Sequence, residues 1–153
     1  MSDQDPFAAT ELDIDLNKPD PSLAPGVDLW RIESAVHKPR GGNIKNAHIL
    51  LTLSRVNGEG KMTDRVFLEG GGYDRGRQKL AVFLGDGWAG RLNLAEMRNR
   101  QAYAYTEVTQ FNGFSRLEVK DRDGFPYSGY APWSEGGSPP PGYVPPAVDD
   151  TPF

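Results

Sequence analysis

The chain has 153 residues, of which 37% are hydrophobic and 25% are charged, with a net charge of −4 and no cysteine. The lack of cysteine excludes a disulfide scaffold and a thiolate zinc site, and two histidines leave few ligands for another metal ion. No apolar stretch is long enough to cross a bilayer, and residues 1–5 do not resemble a signal peptide, so we expect a soluble intracellular protein with no membrane partner.

Charge is divided unevenly along the chain. Residues 1–24 carry −5 and residues 133–153 carry −3, which leaves +4 for residues 25–132. We therefore predict an acidic flexible tail at residues 1–24 and one folded domain at residues 25–132. A basic domain between acidic ends is typical of a protein that meets phosphates and carries interaction tails.

Apolar alternation predicts three strands in the first half of the domain, at residues 27–38, 44–56 and 61–69. Asn57-Gly58 predicts a tight turn between the second strand and the third. A helix should follow the triple glycine at residues 70–72, with Asp74 as its N-cap and Gly85 at its end.

Two more strands are predicted at residues 101–111 and 114–120, joined at Asn112-Gly113, after a short turn that starts at Asn93. The resulting order, β-β-β-α-β-β, is that of an OB-fold, a small Greek-key barrel that binds oligonucleotides across one face. We expect an all-β domain with one helix, a five-stranded OB-fold barrel with disordered N- and C-terminal tails. SH3-like and other small barrels share much of this order.

Strand four alternates small and aromatic residues, with Ala102 and Ala104 on one face and Tyr103 and Tyr105 on the other. If the small face turns inward, the rings face outward and can stack on bases. Aromatic residues of the other strands and of the hairpin complete the candidate stacking set, which is Trp30, Phe67, Tyr103, Tyr105, Phe111 and Phe114. Packing across strands is the alternative for each ring, because Tyr and Phe are strong strand formers.

Basic residues cluster at the first reversal, which is one of the loops that flank the oligonucleotide groove of an OB-fold, and others lie before strand four and on strands one and three. The candidate phosphate contacts are Arg31, Lys38, Arg40, Lys45, Arg65, Arg98 and Arg100. A solvated surface position is the alternative for each, since that is where most Lys and Arg residues lie.

Catalytic motifs are missing from the sequence. The triple glycine is not followed by the Lys-Ser/Thr of a P-loop, and residues 121–124 lack the later ligands of a calcium loop. His37 and His48 lack the spacing of a metalloprotease site. We therefore expect a protein that is not an enzyme and has no metal and no cofactor.

Residues 133–148 are rich in proline and glycine, which predicts a flexible linker. The segment before it, residues 124–133, places four aromatic residues among glycines and prolines. Whether these rings wrap the barrel, stack on DNA or self-associate is left open by the sequence.

The chain ends in Asp149-Asp150-Thr151-Pro152-Phe153. A phenylalanine at the end of a polar tail predicts an apolar pocket on a partner protein, with basic residues at the rim that meet the carboxylates. Residues 149–153 are thus a predicted docking tip, and its candidate partner-binding residues are Asp149, Asp150, Pro152 and Phe153.

This tip, joined to its domain by a Pro/Gly-rich linker, closely resembles the acidic C-terminal tip of bacterial single-stranded DNA-binding proteins. The core resembles, more loosely, the divergent OB-fold proteins that phages encode beside replication and recombination genes. The resemblance implies a phage-type protein in the cytoplasm of a bacterial host cell, whose tip recruits replication, recombination or repair proteins. The core lacks the usual strand sequences of the bacterial family, so its tetramer and its stacking residues are not carried over.

Our hypothesis is a sequence-independent single-stranded DNA-binding protein that protects the strand and recruits partners through its tip. One alternative is an adaptor or inhibitor that occupies the same pocket on host enzymes without binding DNA. Another is an OB-like domain for RNA or a different ligand. The sequence leaves open whether the protein forms a homo-oligomer.

Overall fold

The structure, a computed structural model, describes residues 20–85 and 91–146. Residues 1–19 of the predicted N-terminal tail, residues 86–90 and the whole docking tip lie outside this part of the chain. The described residues form an antiparallel sheet and one α-helix. Its elements are β1 (Gly26–Lys38), β2 (His48–Arg55), β3 (Lys61–Phe67), α1 (Tyr73–Leu84), β4 (Gln101–Phe111), β5 (Phe114–Val119) and β6 (Tyr130–Pro132).

The strands follow the order β3-β2-β1-β4-β5, and the short β6 pairs with β4. The mostly β architecture with one helix confirms the coarse prediction, whereas β6 is a sixth strand that the sequence did not indicate. Within the described ranges the sheet is not closed by a ladder between β3 and β5, its two end strands. These two strands instead line opposite sides of a cleft.

A β-bulge in β1 decides which of its side chains face the core. The ladder with β2 shifts register between Ile32 and Ser34, so Glu33 is the extra residue. Before the bulge Trp30 and Ile32 point inward and are fully buried; after it, Ala35 lies on the inner side and Val36 is exposed. The odd-numbered residues face outward before the bulge and the even-numbered ones after it.

The main core lies between the inner face of the sheet and the helix. Its largest fully buried side chains are Trp30, Tyr130, Ile32, Ile49, Leu51, Leu53, Met97 and Val66. Leu80 and Phe83 of α1 pack on this face. Gly76 brings α1 close to β3, because a Cβ at this position would collide with the carbonyl oxygen of Phe67.

Arg55, at the end of β2, connects the residues before β1 with the loop after β2. Its guanidinium is buried, pairs with the Asp28 carboxylate and lies 4.6 Å from the centre of the Trp30 ring. The same side chain donates hydrogen bonds to the carbonyl oxygens of Ala24 (3.1 Å) and Glu59 (2.7 Å). The tight turn predicted at Asn57-Gly58 is therefore a longer loop of residues 56–60, closed around Arg55.

The predicted helix cap and the predicted second hairpin turn have different outcomes. Gly72, and not Asp74, is the N-cap of α1, and Asp74 lies in the first turn, where its charge favours the helix dipole. Asn112 and Gly113 have φ values of 50° and 82°, which confirms the two-residue hairpin turn.

Tyr130 of β6 ties the sheet to the helix through a buried polar network. Its hydroxyl donates to Asp64 Oδ2 at 2.6 Å, and Lys79 Nζ of α1 donates to Asp64 Oδ1 at 2.9 Å. Burial, together with the neighbouring Asp64 charge and hydrogen bond, raises the pKa of the Tyr130 phenol well above its ordinary value of 10.0.

We expect Tyr130→Phe to lower the free energy of unfolding at neutral pH by about 1.5 to 3 kcal/mol, because a hydrogen bond to a charged group is lost. A phenol with a raised folded-state pKa stabilises the fold fully below pH 10, and this contribution fades as the pH rises further. The gap between wild type and variant, measured by urea denaturation, should therefore narrow as the pH rises above about 10. A gap that stays constant or widens would contradict this role.

Candidate nucleic-acid interface

The outward surface of β1, β2 and β3 beyond the bulge forms a mixed basic and apolar patch. Two cross-strand rows build it, Lys38–His48–Phe67 and Val36–Leu50–Arg65. We call these six residues the open face. The period-two alternation of the strands places all six on one side of the sheet, opposite the core.

The open face combines accessible apolar atoms with cations. The rings of His48 and Phe67 lie 5.4 Å apart, and Val36 keeps 46% of its surface exposed. Among the described residues, neither Lys38 nor the guanidinium of Arg65 has an ion-pair partner, in contrast to Arg40, which meets Glu69 at 3.3 Å. Unpaired cations beside half-buried rings are suited to a polyanion with aromatic groups.

The β4–β5 hairpin projects beyond the core as an arm, residues 107–116. Most of its residues are exposed, including Phe111 at 54% and Phe114 at 77%. The guanidinium of Arg116 lies 4.4 Å from the centre of the Phe111 ring. Arg116 was not among the predicted residues, although its place two positions after Phe114, the ladder partner of Phe111, puts it on the aromatic face.

A cleft of about 270 Å³ separates β3 from β5 and connects the open face with the arm. Arg65 and Phe67 line one side, and Arg116 and Glu118 line the other. The hydrogen bond from Arg116, together with Lys120, lowers the pKa of Glu118, so this carboxylate is ionised at neutral pH. The cleft therefore carries a negative charge from Glu118 and positive charges from Arg65 and Arg116 on its two sides.

The two predicted stacking residues of β4 lie under a cover. Tyr103 is only 6% exposed, and the ring of Tyr143 packs edge-on against it with centroids 4.9 Å apart. Burial, followed by the nearby Tyr143, raises the pKa of the Tyr103 phenol. Tyr105 donates a hydrogen bond to Glu107 (2.8 Å) and lies beside Phe125. Both rings thus pack against residues that follow β5, Tyr143 on Tyr103 and Phe125 beside Tyr105.

Trp30 does not belong to an outward surface, and its place in the predicted stacking set is corrected. Its side chain has no exposed area and packs in the main core under the Arg55 guanidinium. Ordinary strand alternation before the bulge explains this, because Trp30 and Ile32 share the inner face while Arg31 between them points outward. Arg31 is exposed, next to the covered part of the sheet.

The remaining predicted phosphate contacts lie outside the open face. Arg40 and Lys45 are exposed in the β1–β2 loop, which follows Lys38 directly. Arg98 lines a small hollow with Ser34 at the edge of β1, and Arg100 is exposed and donates to the Glu96 carbonyl oxygen at 3.1 Å. The four tip residues Asp149, Asp150, Pro152 and Phe153 lie outside the described residues.

Residues 20–85 and 91–146 contain no group of three or more His, Asp or Glu side chains arranged to hold a metal ion. No helix in these ranges combines the length and the apolar character that a membrane crossing requires. Comparison with known proteins finds no family model and no curated protein that matches the chain.

Proposed function

We propose that the protein binds single-stranded DNA along a path from the open face, across the cleft, to the hairpin arm. One observation carries this proposal: Phe67 and Arg65 of β3 line the same cleft as Arg116 of the hairpin, and the Arg116 guanidinium lies against the exposed Phe111 ring. Each base contributes a ring face and each nucleotide a phosphate, so the two kinds of side chain suit one strand.

In this proposal the sheet is a variant of the OB-fold barrel. The strand order β3-β2-β1-β4-β5, with the helix between β3 and β4, supports it, as does the approach of β3 and β5 across the cleft. An OB-fold binds oligonucleotides on the surface of its second and third strands and between its flanking loops. The open face and the β1–β2 loop correspond to those places.

Rings and aliphatic side chains favour binding that does not depend on base sequence. Stacking contributes about 1 to 3 kcal/mol per base and tolerates any base. Lys38, Lys45, Arg31 and Arg65 have no ion-pair partner among the described residues and are the proposed phosphate contacts. Four such contacts give a slope of log K against log salt of roughly −3 for a single strand.

Fluorescence anisotropy with labelled oligo-dT over a salt series tests this proposal. We expect single-strand binding to exceed duplex binding, and Phe67→Ala or Phe114→Ala to weaken it by about tenfold through the loss of one stacked base. Arg65→Ala should weaken binding and reduce the salt slope by roughly 0.7.

Two matched variants serve as controls for this titration. Trp133→Ala removes a partly exposed ring that lies beside the end of α1, and Arg75→Ala removes a cation that is paired with Asp121 at 2.8 Å. Both should leave affinity nearly unchanged. Equal losses in the controls, or no preference for the single strand, would contradict the proposed path.

We further propose that the tip recruits bacterial replication, recombination or repair proteins. Phe153 would enter an apolar pocket, and burying one Phe contributes about 1.5 to 3 kcal/mol. With a few charge-assisted contacts, the affinity would be on the order of micromolar. Such a tip exchanges partners readily while the domain holds DNA.

Removal of residues 149–153 should abolish the capture of these proteins from a bacterial lysate and leave oligo-dT affinity unchanged or higher, because acidic groups compete with DNA. Phe153→Ala should abolish protein capture without lowering oligo-dT affinity, whereas Thr151→Ala is the control that retains capture. Weaker DNA binding by the truncated chain would refute the competition between tip and DNA.

The burial of Tyr103 favours a second candidate, an adaptor that uses the same tip but binds no DNA. A chain whose oligo-dT binding is absent at all salt concentrations, yet whose Phe153→Ala variant loses protein capture, would establish the adaptor. If both measurements give no signal, an OB-like domain for RNA or another ligand is the remaining function.

A further inference from the structure

Tyr143 occupies an aromatic site on the covered part of the sheet. Its ring packs edge-on against Tyr103, and its hydroxyl accepts a hydrogen bond from Asn57 Nδ2 at 3.3 Å. Val27 and Leu29 of β1, with Val56 after β2, belong to the same apolar cluster. The site therefore takes a flat ring that carries a hydrogen-bond acceptor at its edge.

The contacts that hold Tyr143 in this site are few. The described residues from Ser134 to Pro146 are exposed apart from Pro140 and Tyr143, which are half-buried. The Asn57 hydrogen bond is long, and the backbone of Tyr143 adds a single turn bond to the Pro140 carbonyl oxygen at 3.3 Å. Val144, the next residue, is 80% exposed. One ring on a largely solvated segment is easily exchanged for another ring.

A cation lies next to the same site. The Arg122 guanidinium stacks 4.7 Å from the centre of the Tyr105 ring, and a Cβ at Gly142, the neighbour of Tyr143, would lie 3.7 Å from this guanidinium. Arg122 is exposed and has no ion-pair partner among the described residues. A ring site with a neighbouring cation has the two elements that one nucleotide requires.

We infer that Tyr143 stands in for a nucleobase, and that Tyr103 and Asn57 form a further base-binding subsite which single-stranded DNA fills when Tyr143 leaves. The inference rests on the proposed function and extends the path from the arm to the outward surface of β1 and β4. Asn57 Nδ2 would donate to a base carbonyl oxygen, such as those of thymine, in place of the phenol oxygen. Arg122 would meet the adjoining phosphate.

Occupancy by Tyr143 reduces the apparent affinity of this subsite, because only the open fraction of molecules can bind a base. Tyr143→Ala should therefore strengthen oligo-dT binding by roughly three- to tenfold. Tyr103→Leu in the Tyr143→Ala background should remove that gain, and so should Asn57→Ala in part. Val144→Ala, at the exposed neighbouring position, is the control that leaves affinity unchanged.

NMR spectra of the unaltered protein give a readout that does not depend on how the variants fold. Addition of oligo-dT should move the Tyr143 ring signals toward those of an exposed tyrosine and shift the Asn57 side-chain amide. If oligo-dT binds but these signals stay in place and Tyr143→Ala shows no gain, the subsite is refuted while the proposed function stands. If oligo-dT does not bind the wild type or any variant, both are refuted.

Discussion

The architecture depends on β1, a 13-residue strand. It pairs with two neighbouring strands, and a bulge changes which of its side chains face outward. Its first half pairs with β4 and its second with β2, and only Trp30 and Arg31 have ladder partners on both sides. The bulge at Glu33 exchanges inner and outer positions, so Val27 and Leu29 face outward in the first half and Val36 and Lys38 in the second. One backbone irregularity thus separates the outward surface into two parts with different chemistry.

The first part is apolar and needs a cover, which the residues after β5 supply. Val27, Leu29 and Tyr103 are less than 10% exposed because Phe125, Ala131 and Tyr143 pack on them. Burial of apolar surface contributes about 25 cal/mol per Å², so this second layer stabilises the sheet as well as hiding its rings. The second part lacks such a layer among the described residues, and its unpaired cations and half-buried rings make it the place where we expect a strand of DNA.

Local patterns predicted most elements, because strands and turns of this chain carry strong signals. The apolar alternation in β2 and the Asn112-Gly113 turn were enough to predict the hairpins. β6 was not predicted, because three residues are too few to show a period and its pairing with β4 is non-local. Trp30 was misplaced because apolar residues occupy both faces of this part of β1, so the sequence pattern does not mark the inner face. The burial of Tyr103 depends on Tyr143, forty residues away, which no local pattern could indicate. Arg116 was within reach of sequence reasoning, since the hairpin register alone places it beside Phe111.

The most direct test of the central claim is photo-crosslinking with an oligo-dT in which 5-iodouracil replaces individual thymines, followed by mass spectrometry of the linked peptides. Rings that stack on bases are the expected acceptors. The account predicts crosslinks at Phe67 or His48 on the open face and at Phe111 or Phe114 on the arm. Crosslinks confined to α1 and to Trp133, with none on the open face or the arm, would contradict it.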